Sequence, residues 1–486
     1  MQLLDLITIF IFALGIVIMG LSFSGKGRNM KSFFAAGGAV PWLMSGLSLF
    51  MGFFSAGTFV VWGSIAYSLG WIAISIQWTM AIAGFVVGFF IAPRWHKTSA
   101  LTVAEYITRR LGVNTQKTYT YLFLFISLFT TGSFLYPVAK IVEVSTGMPL
   151  DLCILLLGGF CIVYVAAGGL WAVVSTDVLQ FIILTAAVLI VVPLSFGRVG
   201  GVVNFIESIP ATYFNLVNGE YTIGFIVAFG VYNTIFLGGN WAYVQRYASV
   251  NSQSSARKVG FLFGGLYVVS AVLWMLPPMI YRIVNPSLST IDAEGAYLMM
   301  CKEVLPAGLL GLMLSGMVFA TASSLNATLN ISSGVVTNDI FKRLFPQSSD
   351  KTLMRVARIS TIIFGLLAII VALLIPLMGG IVNVVISVAA LTGVPLYLPI
   401  IWTLFSKRQT EYSVITTTLV SLGANAFFKF ITPLWGFGFN RAEEMIVGVA
   451  FPVLCLIAFE LYYKLNHKIS HRYVEYQEWE KENNCI

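Results

Sequence analysis

An all-α polytopic membrane protein is the fold class this sequence predicts, and three observations carry the prediction. Charged residues are only 10% of the 486 and hydrophobic residues 58%, where a soluble domain carries about 25% charged. Nearly every stretch of about 20 residues between charge clusters is apolar enough to cross a bilayer. The basic residues then fall on one side of the membrane. A β-barrel would show alternating segments of about 10 residues instead, and none is evident.

The hydropathy pattern gives about 13 transmembrane helices. They lie roughly at 3–24, 41–68, 71–95, 119–145, 149–171, 174–196, 222–248, 259–284, 305–337, 355–378, 380–405, 411–431 and 444–464. The first begins at Leu3 without a basic leader or a small-residue cleavage site, so it reads as a retained helix. Lys26, Arg28 and Lys31 follow it. Arg94, Lys97, Arg109, Arg110 and Lys117 follow the third span, and Arg246, Arg257 and Lys258 the seventh. Lys342, Arg343, Lys351, Arg355 and Arg358 follow the ninth, and Lys407 and Arg408 the eleventh. Lys464, Lys468, Arg472 and Lys481 close the chain. An odd span count puts about 22 of the 28 Lys and Arg on one side, which the positive-inside rule makes cytoplasmic. The amino terminus is then outside and the carboxyl terminus inside. Topology thus explains the net charge of +8, and nothing presents the basic stripe that a nucleic-acid partner requires.

Two connections carry structure of their own. Residues 102–112, TVAEYITRRLG, have the pattern of a short amphipathic helix on the cytoplasmic face. Residues 197–221 are too long for a simple turn and suit a surface helix or lid. The charged tail 467–486 reads as exposed. Neither the five cysteines nor the three histidines show pairing or metal spacing, and no nucleophile elbow or P-loop is present. The chain is not expected to be an enzyme.

Three elements carry chemistry. GLMLSGMVFATASSLNATLNISSGVVTNDIF, residues 311–341, is a membrane-length segment dense in small hydroxyl residues. Ala320, Ser323 and Ser324 fall at i, i+3 and i+4, on one helix face. They offer hard, neutral oxygens to a small cation, or simply a smooth surface for close helix packing. The span 41–68 is interrupted by Gly46, Gly52, Gly57 and Gly63, with Ser55 and Thr58 near its middle. A helix broken at mid-membrane frees carbonyls for an ion, while an unbroken one would use the glycines as a packing seam. Asp177, beside Ser175, Thr176 and Gln180, is a carboxylate near the start of the sixth span. It marks an ion path or caps a helix end.

These segments resemble the sodium/solute symporter family, which includes the sodium/glucose, sodium/proline and sodium/sialic acid carriers. AAGGLWAVVSTDVLQ resembles that family's glycine pair followed by Thr-Asp and Gln. FGVYNTIFLGGNWAYVQRYASV resembles its seventh span, which ends here in Gln245 and Arg246. FATASSLNATLNISSGVVTNDIF resembles its ninth, with the Ser-Ser pair and a terminal Asp-Ile. The resemblance implies a leucine-transporter-type fold, with spans two to six and seven to eleven as inverted five-helix repeats. On that reading residues 1–40 hold the first span and a cytoplasmic loop. Residues 41–405 form the transport core, as 41–196 and 222–405. Residues 406–466 add two spans, and 467–486 form a cytoplasmic tail.

The resemblance also implies a coupling sodium ion held by the carbonyls of Met51, Phe54 and Ala320 and the hydroxyls of Ser323 and Ser324. A second site in some members uses hydroxyls at the positions of Asn326 and Ala327, with the Asp matching Asp177. Those hydroxyls are missing here, so one sodium is expected, with Asp177 and Asn326 on its path. The implied solute pocket is Phe53, Ser55, Thr58, Gln77, Asn233, Phe236, Tyr267 and Ser387, with Phe236 where sugar carriers place an aromatic gate. Two positions depart from the sugar carriers, which have an acidic residue at Gln77 and a basic one at Tyr267. Gly132 stands where sialic acid carriers have Arg. Without a fixed positive charge, a buried carboxylate would lack a partner, so a neutral, hydroxyl-rich solute such as a sugar is expected. The other readings are an organic acid (sialic acid or a monocarboxylate), an amino acid, proton coupling, or a non-transporting sensor. The expected location is a bacterial inner membrane. The expected partners are sodium, solute and the lipid bilayer, with no obligate protein partner.

Overall fold

The computed structural model describes residues 2–24, 40–100, 102–164 and 170–482. All regular elements among them are helical. In chain order they are α1 Leu3–Ser24, α2 Trp42–Met51, α3 Gly63–Leu69, α4 Ile72–Lys97, α5 Val103–Leu111, α6 Val113–Thr146 and α7 Leu150–Tyr164. There follow α8 Leu170–Arg198, α9 Val202–Ser208, α10 Ile223–Gly239, α11 Trp241–Ala248, α12 Gln253–Val284 and α13 Ala296–Val304. The last are α14 Leu309–Val335, α15 Asp350–Leu374, α16 Ile381–Thr403, α17 Glu411–Trp435, α18 Arg441–Leu465 and α19 His471–Glu482. Eight described helices are long and apolar enough to cross a membrane, or nine if the bent pair α10–α11 is one span. Shorter apolar helices lie at Leu3–Gly15, Trp42–Met51, Thr58–Leu69, Leu150–Gly159 and Leu309–Thr321. These fall where the sequence reading expects the other spans.

Local chemistry sets the helix ends. Thr102 accepts from the Glu105 amide and opens α5, and Ser252 does the same for Ser255 at α12. Asn440 and Glu443 form a reciprocal capping box at α18. Each satisfies amides that a helix start leaves without a partner.

The most extensive helix contact joins α4 to α12 and is made close by glycine. A Cβ on Gly84 would lie 2.7 Å from the Gly264 nitrogen, and one on Gly260 2.5 Å from the Gly88 Cα. Both helices therefore carry small residues four apart and meet backbone to backbone, the close approach that membrane helices use where apolar burial gives no drive. α10 packs on the same helix α4, and α1 lies against α14 and α8. Asp5 of α1 accepts from the amides of Gly308 and Gly311 at 2.7 and 3.1 Å, capping the start of α14.

The connection after α8 forms α9 and a 3-10 turn at Ala211–Phe214. The Tyr213 carbonyl accepts from Trp71 at 2.9 Å, so this surface segment is fastened to the turn between α3 and α4. The tail is exposed along most of its described length, as expected, but one face of it is not. α19 docks on α5, with Tyr476 6% exposed, and the Arg109 guanidinium lies 3.9 Å from the centre of the Trp479 ring. Tyr106 and Tyr476 meet edge to face at 5.9 Å. The charged pattern of 467–486 hid three aromatic side chains, Tyr473, Tyr476 and Trp479, that supply this contact.

Candidate functional site

The second span is broken where its glycines lie. α2 ends at Met51, the chain turns over residues 52–55, and helix resumes through a π-turn at Thr58–Trp62 into α3. Space also favours glycine at the break, because a Cβ on Gly52 would sit 3.2 Å from the Tyr243 ring. Among the described residues, no backbone amide bonds to the carbonyl of Met51 or Phe54. A break of this kind leaves carbonyls available to an ion.

One hydrogen bond fixes the break against α14. The Ala56 amide donates to Thr321 Oγ1 at 2.9 Å, and Thr321 in turn donates to the Met317 carbonyl at 2.9 Å. The end of the break is therefore tied, at Ala56, to the turn of α14 that holds Ala320 and Ser324. Ala320 is buried and Ser324 half-buried. The Ser324 carbonyl accepts from Thr328, and its hydroxyl makes no hydrogen bond among the described residues. The side chains of Ser323, Asn326 and Ala327 lie outside the described residues. Thr321 escaped the helix-face argument because it sits one residue, about 100° of helix rotation, from Ala320.

Asp177 joins α8 to α2. It is 5% exposed and accepts from Ser48 Oγ at 2.5 Å, one turn before Met51. Arg246 is the positive charge whose field reaches it. One turn further, buried Gln180 has an Oε1 atom with no partner among the described residues.

Phe53 is the hub of the candidate solute residues. Its ring lies 6.4 Å from Phe236 and 6.2 Å from Tyr267, centre to centre. The Thr58 hydroxyl bonds to the Phe53 carbonyl across the break. Ser55 is buried beside them. Gln77 on α4 is 3% exposed, and its Nε2 has no partner among the described residues. Asn233 already donates to Thr79 at 2.8 Å, so part of its amide is engaged. Ser387 is half-buried on α16, whose first turns pack on the Thr58–Trp62 turn. The ring contacts that join Phe53, Phe236 and Tyr267 include neither Ser387 nor Gln77.

Tyr243, Tyr397 and Phe263 complete the cluster and were missed. Tyr243 lies 5.0 Å from Phe53 and 5.6 Å from Phe236, Phe263 5.3 Å from Phe53, and Tyr397 5.9 Å from Phe236. The signal for Tyr243 was Gly238-Gly239-Asn240, where α10 and α11 meet at 59°. Asn240 caps α11 through the Ala242 amide at 3.0 Å and donates to the Tyr397 hydroxyl at 3.3 Å. Among the described residues no cluster of three His, Cys, Asp or Glu could hold a metal. The arrangement offers carbonyls, hydroxyls, amides and aromatic faces.

Relatives share this architecture. A Na+-coupled sialic acid symporter aligns with a TM-score of 0.77 at 21% identity, over 95% of this chain and 98% of that one. Mhp1, a nucleobase-cation-symport-1 family transporter, aligns at 0.57 and 14% identity, over 93% of this chain and 99% of that one. The fold is thus of the leucine-transporter type. In sequence, the sodium/glucose cotransporter of Vibrio parahaemolyticus is 29% identical, covering 88% of this chain and 86% of its own. The sodium/myo-inositol cotransporter 2 of Oryctolagus cuniculus is 26% identical, covering 75% and 60%. These relatives are transporters, not enzymes. The model of the sodium:solute symporter family matches residues 33–420, and this integral membrane protein belongs to that family.

Proposed function

We propose that this protein is a sodium-coupled symporter that imports a small neutral, hydroxyl-rich solute, such as a sugar, by alternating access. The bond between the Ala56 amide and Thr321 carries the reading, because it seats the broken second span on the hydroxyl-bearing helix α14. One sodium ion would bind the carbonyls of Met51, Phe54 and Ala320 and the hydroxyls of Ser323 and Ser324. Binding there ties the two helices together and shapes the aromatic cluster, so solute then binds more tightly, and the coupling is reciprocal. Sodium leaves toward the cytoplasm past Asp177 and Asn326, and solute past Phe236. Phe53, Ser55, Thr58, Gln77, Asn233, Phe236, Tyr267 and Ser387 line the solute's place. Gln77 has an amide donor awaiting a partner, which suits a hydroxyl or carbonyl. Relatives that pair sodium with glucose or with myo-inositol support the solute class.

The same reading takes thirteen spans, with the amino terminus outside and the carboxyl terminus in the cytoplasm of a bacterial inner membrane. Residues 41–405 form the core as two inverted repeats. Both repeats then begin with a broken helix, α2–α3 in one and α10–α11 in the other, the pattern expected where such repeats build a mid-membrane site.

Thermal stability of the purified protein across a solute panel, in sodium and in choline, tests this reading. The panel holds sugars, sialic acids, amino acids, nucleosides and monocarboxylates. A rise in Tm with a sugar or polyol in sodium only is expected, since a ligand stabilises the state it binds. A rise that ignores sodium points to proton coupling or facilitated transport, and a rise with an acid overturns the solute class.

A further inference from the structure

Glu294 is a buried carboxylate that the sodium and solute sites do not use. It sits in the 3-10 turn Asp292–Gly295, between α12 and α13, and is 3% exposed. Its Oε2 accepts from the Tyr136 hydroxyl of α6 at 2.7 Å, and its Oε1 from the Ile381 amide that opens α16 at 2.9 Å. Gly380, with φ +89°, makes room for it, since a Cβ there would lie 2.7 Å from Oε1. Lys140, one turn beyond Tyr136 and 4% exposed, lines the same small cavity as Glu294, Tyr297, Phe59 and Met317. Tyr297 in turn covers Phe59, with ring centres 4.3 Å apart. Phe59 belongs to the π-turn just beyond the break in the second span. One carboxylate thus ties α6, the α12–α13 connection and α16 together over that span.

A permanent joint would not need a carboxylate. Apolar side chains of similar volume usually hold buried elements together as well or better, because a buried charge must be desolvated. A carboxylate with two donors suits a joint that opens, because water satisfies all three groups once they part.

We propose that Glu294 is a latch that holds the outer face of the transport path shut. It is a positioning residue that acts through Tyr136 and the start of α16. The idea rests on the alternating-access reading above, in which the outer face must open and close. Opening breaks both bonds and lifts α13, with Tyr297, away from Phe59.

Native cysteines allow a direct test. Cys301 on α13 is fully buried one turn beyond Tyr297, and Cys153 is fully buried at the start of α7. Two variants retain one of these each, with the other four of the five cysteines replaced by Ser. Intact cells are treated with a membrane-impermeant thiol reagent in choline buffer. Glu294→Gln and Tyr136→Phe are each expected to speed labelling of Cys301 about tenfold, the scale of losing one bond to a charged group. Cys153 labelling stays unchanged. Wild-type rates at Cys301 in both variants overturn the latch. Equal acceleration at Cys153 also overturns it, because the outer face is then loosened as a whole. Should Glu294→Gln fail to reach the membrane, Tyr136→Phe, which keeps the carboxylate, decides. The readout needs neither sodium nor solute, so failure of sodium-coupled uptake and failure of the latch are seen separately.

Discussion

Two broken helices, α2–α3 and α10–α11, solve the same problem in opposite ways. At the second span the chain turns through residues 52–55, bridged by the Thr58 hydroxyl on the Phe53 carbonyl, and the π-turn that follows has no side-chain cap. Its amide at Ala56 is satisfied by another helix, through Thr321. At the seventh span the turn is closed locally, because Asn240 caps α11 and reaches Tyr397. The first break therefore depends on the position of α14, and α14 on it. The second break is capped from within its own corner, touches α16 only through Tyr397, and presents aromatic rings to Phe53. A break that borrows its partner can sense a ligand held between two helices, whereas a self-capped break serves as a rigid corner.

The comparison breaks first at Ser324. Ser324→Ala removes one proposed sodium ligand while leaving the Ala56–Thr321 bond in place. The sodium concentration for half-maximal uptake is expected to rise at least about tenfold, roughly the 1.4 kcal/mol that one oxygen ligand or charged hydrogen bond contributes. The melting temperature in choline should stay within a degree or two of wild type. Sodium activation curves on proteoliposomes give the answer, and an unchanged curve removes Ser324 from the site.

Thr321→Val comes next. It keeps the shape and removes the acceptor, which strands the Ala56 amide in a buried place at a cost of about 1–3 kcal/mol. Both the melting temperature and sodium affinity should fall, the latter several-fold. Thr321→Ser restores the oxygen and should restore both. If Val lowers the melting temperature but leaves sodium activation untouched, the bond is a fold contact and the two helices are not coupled through it.

Much of this site was legible in the chain, for identifiable reasons. The glycines at 46, 52, 57 and 63 were compatible with a break or with a packing seam, and the chain does turn at residues 52–55, beside Gly52. The hydroxyls of α14 were visible as a cluster, although an apolar span can use them for close helix packing as well as for an ion. Thr321 was not visible, because hydroxyls on a helix look alike until a neighbour supplies the amide. The α4–α12 contact was equally silent. Gly84, Gly88, Gly260 and Gly264 have the right spacing on each helix, but nothing in either segment says which helix it meets. Tyr243 and Tyr397 read as ordinary span aromatics, and only the 59° corner brings Tyr243 to Phe53. The tail was legible only in part, for the converse reason. Its charges indicated solvent, while its aromatic residues found a partner in α5 that lies far away in sequence.

The smallest effect on sodium is expected at the self-capped corner. Asn240→Ala loses the cap on α11 and the bond to Tyr397, at about 1 kcal/mol. Sodium activation should stay unchanged, because α14 and the break at 52–57 are untouched. Solute response should change instead, since Tyr243 and Phe236 meet through this corner at 5.6 Å and a looser corner widens that contact. The half-saturating solute concentration at saturating sodium is expected to rise a few-fold, on the scale of the lost cap. Tyr397→Phe removes the bond to α16 and keeps the cap, because Asn240 still accepts from the Ala242 amide. If Tyr397→Phe leaves solute affinity at the wild-type value, the cap alone sets the corner. If it behaves like Asn240→Ala, the Tyr397 contact is what positions the rings. If Asn240→Ala shifts sodium activation as far as Thr321→Val does, the two breaks are not independent, and the distinction between a borrowed partner and a self-capped corner fails.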